Sequence, residues 1–160
     1  MNQESLQFGM GFRVGIGESD LTPPPGYPLG GFGPFGKRSI GVMTPLKAKV
    51  FFLQDNEGKQ LVLCAADLWS VSETIGSKVM SLVHCRMKRE SLLMGATHTH
   101  FSPSNFSSTP IYNQYGSVQP GFDQAMCDFL ASRIASAIDQ ASENLMPARL
   151  SIAEKSVYGL

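Results

Sequence analysis

The sequence contains only three cysteines, no long apolar run and no excess charge of either sign. Cys64, Cys85 and Cys127 lie far apart and form no C-x-x-C pair, and their odd number argues against a disulfide framework, so we predict buried free thiols. Thirteen basic residues balance thirteen acidic residues, without a long run of either sign. This balance argues against nucleic acid or an anionic membrane surface as a partner.

The sequence also has no segment typical of membrane insertion or secretion. No apolar run approaches the roughly 20 residues that a membrane-spanning helix requires, so we predict no transmembrane segment. Residues 1–5 show neither the basic nor the apolar region of a signal peptide. As it stands, the chain is expected to be compatible with the reducing cytoplasm, and the sequence does not define its localisation.

Hydrophobic periodicity predicts an α/β fold with α+β character, in one domain spanning residues 1–160. The first ten residues are expected to be disordered. The predicted order is strand, loop, strand, strand, helix, strand, loop, helix and strand, which implies a mixed sheet covered by helices. The predicted strands are 12–16, 47–53, 59–65, 91–98 and 149–153, and the predicted helices are 70–86, opened by a capping box at 70–73, and 122–145.

The first long loop, residues 26–45, is rich in glycine and contains three prolines. Residues 31–36 match the G-x-G-x-x-G pattern, but a dinucleotide site needs a strand before the pattern and a helix starting within it, and neither is predicted here. Tyr27, Phe32 and Phe35 favour an ordered, packed loop over a flexible linker. A loop of this length in a compact domain is usually functional when it is ordered.

The most informative segment is Thr-His-Thr-His-Phe at residues 97–101, which closes an apolar run predicted to be a strand. His98 and His100 are two residues apart, so on a strand they project from the same face and can converge on one point. Neutral imidazole is a common zinc ligand. The alternative is that both histidines are surface residues bonded to nearby backbone. Spacing alone leaves both interpretations open, because two ligands do not make a zinc site.

Other polar residues near this segment each have two interpretations. Asp67 follows the second strand of the predicted hairpin, where its carboxylate can orient a metal-bound histidine or serve as a turn or N-cap residue. Four serines between positions 102 and 108 crowd the loop after the histidines, but no motif pairs one with a base. Residues 105–107 fit the N-glycosylation pattern, which often arises by chance.

Several segments in order resemble the N-terminal region of the neutral/alkaline non-lysosomal ceramidases. The most specific is Ala-Thr-His-Thr-His at residues 96–100, and the resemblance extends over nearly the whole chain from about Arg13. The other matching segments are 15–24 (Gly-Ile-Gly-Glu-Ser-Asp-Leu-Thr-Pro-Pro), 29–33 (Leu-Gly-Gly-Phe-Gly), 65–68 (Ala-Ala-Asp-Leu) and 147–150 (Pro-Ala-Arg-Leu).

The resemblance implies a zinc-dependent amide hydrolase that converts N-acylsphingosine to sphingosine and a fatty acid. By this resemblance His98 corresponds to a zinc ligand, and His100 to a catalytic neighbour of the metal-bound water or the substrate. Asp67 is expected to orient the zinc-binding histidine through the second nitrogen of its ring. The expected contacts with a small lipid-like amide substrate are Gly31, Phe32, Gly33, Phe101 and Ser102.

The sequence departs from the family pattern in two ways. The family usually has Ser-Gly-Pro after the histidines, whereas this chain has Phe101, Ser102 and Pro103, so its amide substrate is expected to differ from ceramide. The family's other zinc ligands and its catalytic serine lie beyond the equivalent of Leu160. We therefore expect the N-terminal portion of a larger catalytic domain, inactive alone, that associates with a C-terminal portion or forms a homo-oligomer. The alternative is a non-catalytic module that binds a lipid or a partner protein.

Overall fold

The computed structural model describes residues 6–152, 154 and 156. Within these residues, five strands form one sheet with the order β4-β3-β2-β1-β5. The β3–β4 pair is parallel and the other pairs are antiparallel, so the sheet is mixed, as predicted. The elements along the chain are β1 (Leu6–Asp20), β2 (Lys47–Gln54), β3 (Gln60–Ala66), α1 (Glu73–Leu82), a 3-10 turn (Arg89–Ser91), β4 (Leu92–Ala96), α2 (Pro110–Tyr115), α3 (Gln124–Glu143) and β5 (Met146–Ile152).

The predicted order of strands and helices is confirmed, with one short helix added. This helix, α2, lies inside the predicted second loop and has only six residues. The predicted capping box at residues 70–73 is wrong, because α1 starts at Glu73 and Ser72 is its N-cap. The hydroxyl of Ser72 accepts a hydrogen bond from the backbone of Ile75 and donates one to the carbonyl of Phe106, and the second contact is long-range.

Both chain ends differ from the sequence-based expectation. Disorder was expected for residues 1–10; residues 1–5 lie outside the described part of the chain, but residues 6–10 belong to β1 and its start pairs with the end of β5. The predicted end of the last strand, Ala153, also lies outside the described residues. β5 begins at Met146 rather than at 149, because Pro147 is tolerated on an edge strand that needs no ladder bond on its outer side.

The core lies between one face of the sheet and the helices α1 and α3. Alternate residues of the central strand β2, such as Val50 and Phe52, point inward and are buried. The long helix α3 presents a buried stripe that includes Leu130, Ile134 and Ile138, with the spacing of an amphipathic helix. The sequence pattern therefore defines the side of each element that faces the core.

Glycines in β1 allow α3 to pack directly on the strand backbone. A Cβ atom built on Gly17 would lie 1.9 Å from the carbonyl oxygen of Ala137, and one built on Gly15 would lie 1.7 Å from that of Ala141. No side chain fits between the helix backbone and the strand at these two positions. The close approach of α3 to the sheet therefore depends on glycine at these two positions of β1.

We expect Gly17→Ala to destabilise the fold by about 1–3 kcal/mol or more, because the new methyl group would push α3 away from β1. The matched control is Gly95→Ala in β4, where an added Cβ meets no atom within 4 Å. Urea unfolding followed by circular dichroism measures both free energies of unfolding. Equal unfolding midpoints for the two variants would contradict the proposed packing constraint.

The predicted free thiols are confirmed, although one of them is only half-buried. Cys64 and Cys127 are buried and Cys85 is partly exposed, and all three are unpaired. Burial raises the pKa of the Cys64 thiol to about 12, and burial is also the main cause of the raised pKa values of Cys85 and Cys127. The three thiols therefore stay protonated near neutral pH. Among the described helices, none has the length and apolar character needed to cross a bilayer.

Candidate functional site

The two histidines of the Thr-His-Thr-His segment lie just beyond the end of β4, in a turn and not in the strand. β4 ends at Ala96, and His98 has a left-handed backbone with φ of 61°. The rings nevertheless converge: the Nε2 atoms of His98 and His100 are 3.5 Å apart, and the ring centroids are separated by 5.1 Å. The expected convergence is found, but it is produced by the turn and not by strand alternation.

Asp67 holds the segment that leads into this turn. One carboxylate oxygen accepts a hydrogen bond from the hydroxyl of Thr97 (3.1 Å), and the other accepts one from the backbone N–H of Lys47 (2.9 Å). The expected support of a histidine ring by Asp67 is corrected by this geometry, since the carboxylate acts on the residue before His98. The turn interpretation of Asp67 is the one that the contacts favour.

The backbone of the glycine-rich loop packs against the ring of His100. A Cβ atom on Gly31, whose φ is 82°, would lie 2.6 Å from Cε1 of His100, so the imidazole rests directly on the loop backbone. Phe32 packs edge-on against His100 with ring centroids 5.2 Å apart, and against Phe101 with centroids 6.1 Å apart. Gly33 instead faces the carbonyl oxygen of Tyr115 at the end of α2. The structure thus brings Gly31, Phe32 and Phe101 to the histidine pair.

Ser102 is buried and joins three segments, which corrects its expected role as a substrate contact. The side chain is 0% exposed, and its hydroxyl donates to the carbonyl of Thr99 (3.0 Å) while accepting from the backbone N–H of Trp69 (2.8 Å). The carbonyl of Ser102 accepts a hydrogen bond from Gly30 (3.0 Å), and Gly30 packs against the indole of Trp69. Ser102 therefore connects the histidine turn, the glycine-rich loop and the segment before α1.

A second anchor of the site, which was not identified from the sequence, is Asn105. Its side chain is 3% exposed and its amide nitrogen donates to the carbonyls of Asn113 (3.3 Å), Gln119 (2.7 Å) and Gly121 (2.5 Å). Its own backbone is left-handed, with φ of 69°. The glycosylation pattern at this residue is therefore not presented by the folded chain. A polar residue at a positive φ has no local sequence signal that distinguishes it from an ordinary loop asparagine.

An apolar cavity of about 390 Å³ lies beside the histidine turn. Thr99 and Phe101 form one side of it, and residues of the glycine-rich loop form another, among them Ile40, Val42 and Met43. These three side chains are 100%, 52% and 92% exposed, respectively. The sequence signal for this cavity is the group of apolar residues at 40–43, which belong to no strand or helix.

The histidine pair can contribute to a metal site but does not complete one. Two nitrogen ligands of a tetrahedral zinc ion lie about 3.3 Å apart, given Zn–N distances of about 2.0–2.1 Å, so the observed Nε2 separation is compatible with a shared ion or with one ligand and one hydrogen-bonding neighbour. Within the residues that the structure describes, no group of three or more His, Cys, Asp or Glu side chains is placed to hold a metal. Further ligands would have to come from outside these residues.

Comparisons with known proteins identify the family. Residues 12–159 match the family model described as neutral/alkaline non-lysosomal ceramidase, N-terminal, and the chain therefore belongs to this family. It is 26% identical to the neutral ceramidase of Pseudomonas aeruginosa over 145 residues, which cover 87% of this chain and 21% of that protein. It is 25% identical to neutral ceramidase A of Dictyostelium discoideum, with 93% of this chain and 21% of that protein covered.

The fold is also that of a solved ceramidase. The crystal structure of the neutral ceramidase from Pseudomonas aeruginosa matches with a TM-score of 0.78 and 23% sequence identity, over 88% of this chain and 23% of that chain. The chain thus spans about a fifth of the length of the curated relatives that it matches. The similarity concerns the N-terminal part of a much longer family fold.

We expect Ser102→Ala to lower the free energy of unfolding by about 1–3 kcal/mol, because it leaves the buried N–H of Trp69 without a partner. Ser108→Ala, at an exposed position of the same loop, is the matched control. Urea titration of both variants gives the two values. A Ser102→Ala variant as stable as the Ser108→Ala variant would show that the three segments do not depend on this hydroxyl.

Proposed function

We propose that this chain forms the N-terminal part of a zinc-dependent amide hydrolase that acts on N-acylsphingosine or a related lipid amide. The observation that carries the proposal is that the imidazoles of His98 and His100 converge next to an apolar cavity, with His100 packed on the backbone of Gly31. Membership of the ceramidase family supports the reaction class. The proposal assigns to His98 the role of zinc ligand and to His100 that of a catalytic neighbour.

The proposed roles of His98 and His100 follow from the positions of their imidazole rings. Zinc, when bound, supplies Lewis acidity towards an amide carbonyl. His98 is exposed and its Nε2 lies 3.5 Å from Nε2 of His100, while the ring of His100 is held between Gly31 and Phe32. A ring fixed in this way can donate or accept one hydrogen bond at Nε2 in a constant direction. His100 can therefore orient the polar head of a substrate or exchange a proton with it.

The cavity supports a substrate with an apolar chain. Its volume of about 390 Å³ falls within the usual range of ligand pockets, and one end of it is formed by the turn that carries the histidines. Phe101 lines the cavity and directly follows His100 in the chain, and it is 71% exposed. The family usually has serine at this position, so the larger Phe101 changes the shape of the cavity wall next to the histidines and favours an amide different from ceramide.

A second candidate function is a non-catalytic module that binds a lipid or a partner protein. The observation that favours it is that the described residues offer two nitrogen ligands, which is fewer than catalytic zinc sites use. Hydrolysis of a fluorogenic N-acyl amide distinguishes the two functions. Chelator-sensitive hydrolysis by the chain combined with a ceramidase C-terminal portion supports the hydrolase, whereas binding without turnover in that assembly supports the module.

We expect His98→Ala to lower the affinity of the chain for Zn²⁺ by roughly tenfold or more, since it removes one of the two converging nitrogens. His84→Ala is the matched control, because His84 lies elsewhere and its Nδ1 contacts Asp139 at 2.9 Å. Isothermal titration with zinc chloride measures both affinities. Equal loss in the two variants, or zinc binding that neither variant changes, would contradict the assignment of His98 as a ligand.

We expect Met43→Asp to weaken binding of a fluorescent N-acyl amide by roughly tenfold, because it places a charge in the wall of the apolar cavity. Phe35→Asp is the matched control: Phe35 is 96% exposed in the same loop and does not line the cavity, whereas Met43 is 92% exposed. Fluorescence anisotropy reports the dissociation constants. If both variants bind like the parent chain, the apolar chain of the ligand lies elsewhere.

A further inference from the structure

The face of the sheet that is turned away from α1 and α3 carries a row of apolar side chains across four strands. The strand registers pair Ile16 with Phe51, Phe51 with Leu63, and Leu63 with Leu93, so these four residues form a continuous line from β1 to β4. Ile16, Phe51 and Leu93 are 60%, 47% and 63% exposed. None of the described helices covers this row.

A second apolar row lies beside the first. Val14 pairs with Leu53, and Leu53 pairs with Leu61, two positions along each strand from the first row. Leu61 is 44% exposed, and the other two are partly exposed. Because residues two apart on a strand share a face, the two rows form one surface of seven neighbouring apolar side chains.

This surface is unusual for a sheet that faces water. An antiparallel sheet with one solvated face normally alternates apolar residues inward with polar residues outward. Here the outer face is apolar in the two rows described above. The next row is polar, because it holds Glu18 and Lys49, which pair across β1 and β2. A contiguous apolar patch bordered by polar residues is typical of an interaction site.

The apolar surface is continuous with the edge that leads to the histidines. β4 contributes Leu93 to the first row, is an edge strand of the sheet, and ends two residues before His98. The outer backbone edge of β4 is also free to pair among the described residues. A polypeptide packed on this face would therefore also lie near the histidine pair, which by itself offers too few ligands for a zinc ion.

We propose that this face, formed by the rows of Ile16 and Val14, is the docking surface for the part of a ceramidase catalytic domain that follows the matched region. The choice of occupant rests on length: the chain covers 21% of the Pseudomonas aeruginosa relative, whose fold at the matched positions is the same. About four-fifths of each relative's length thus lies outside the match, whether the corresponding polypeptide here belongs to the same chain or to another. The proposal rests on the proposed function only for the identity of this partner.

The test co-expresses the chain with the portion of the Pseudomonas aeruginosa neutral ceramidase that the match does not cover. Sedimentation velocity of the purified material is expected to show a 1:1 complex. Phe51→Lys is expected to weaken this complex by roughly tenfold or more, because it places a charge in the centre of the buried face. Phe35→Lys, at an exposed aromatic residue that lies outside the sheet and does not line the cavity, is the matched control and is expected to have no effect.

The remaining outcomes decide against the proposal. Absence of a complex, or a complex that Phe51→Lys and Phe35→Lys affect equally, overturns it. A dimer of the chain that dissociates on Phe51→Lys assigns the face to a second copy and also overturns it. If Phe51→Lys does not fold, Leu93→Lys at the end of the same row replaces it. Since zinc and turnover are not measured, failure here is independent of the proposed hydrolysis.

Discussion

The arrangement of the candidate site depends on the buried hydrogen bonds of Ser102. This residue connects the backbone of Trp69, the carbonyl of Thr99 and the N–H of Gly30, which belong to three segments far apart in the chain. A buried backbone N–H without a partner is costly, so these bonds constrain the segments strongly. These hydrogen bonds fix the position of the histidine turn relative to the glycine-rich loop.

Within the turn that Ser102 anchors, the backbone conformation sets the positions of the two histidine rings. His98 adopts a positive φ, which is rare for a residue with a side chain and typical of functional turns. The bond between Thr97 and Asp67 fixes the entry to the turn, and the bare backbone of Gly31 leaves room for the ring of His100. Two imidazoles thus meet in a geometry that a regular strand would not produce at the same distance.

The sequence predicted the parts of the fold that depend on local patterns. The order of the elements and the buried sides of β2 and α3 follow from hydrophobic spacing. The convergence of His98 and His100 was expected from strand alternation, but the turn after β4 produces it. The N-cap at Ser72 and the roles of Ser102 and Asn105 were not predictable in this way, because each residue also contacts a partner that is distant in sequence. Local composition does not contain the positions of those partners.

The incomplete metal site and the uncovered face of the sheet have one common physical explanation. Domains are built from packed layers, and a sheet with helices on one side is stable alone only if its other side tolerates water. Here that side is apolar along Ile16, Phe51 and Leu93, so a further layer on this face would remove apolar surface from water. A third layer would bury this face and reach the edge where His98 lies, and the same polypeptide can then supply the missing ligands. In the proposed assembly, burial of the sheet and completion of the metal site are coupled, so the histidines would bind zinc tightly only once this layer is in place.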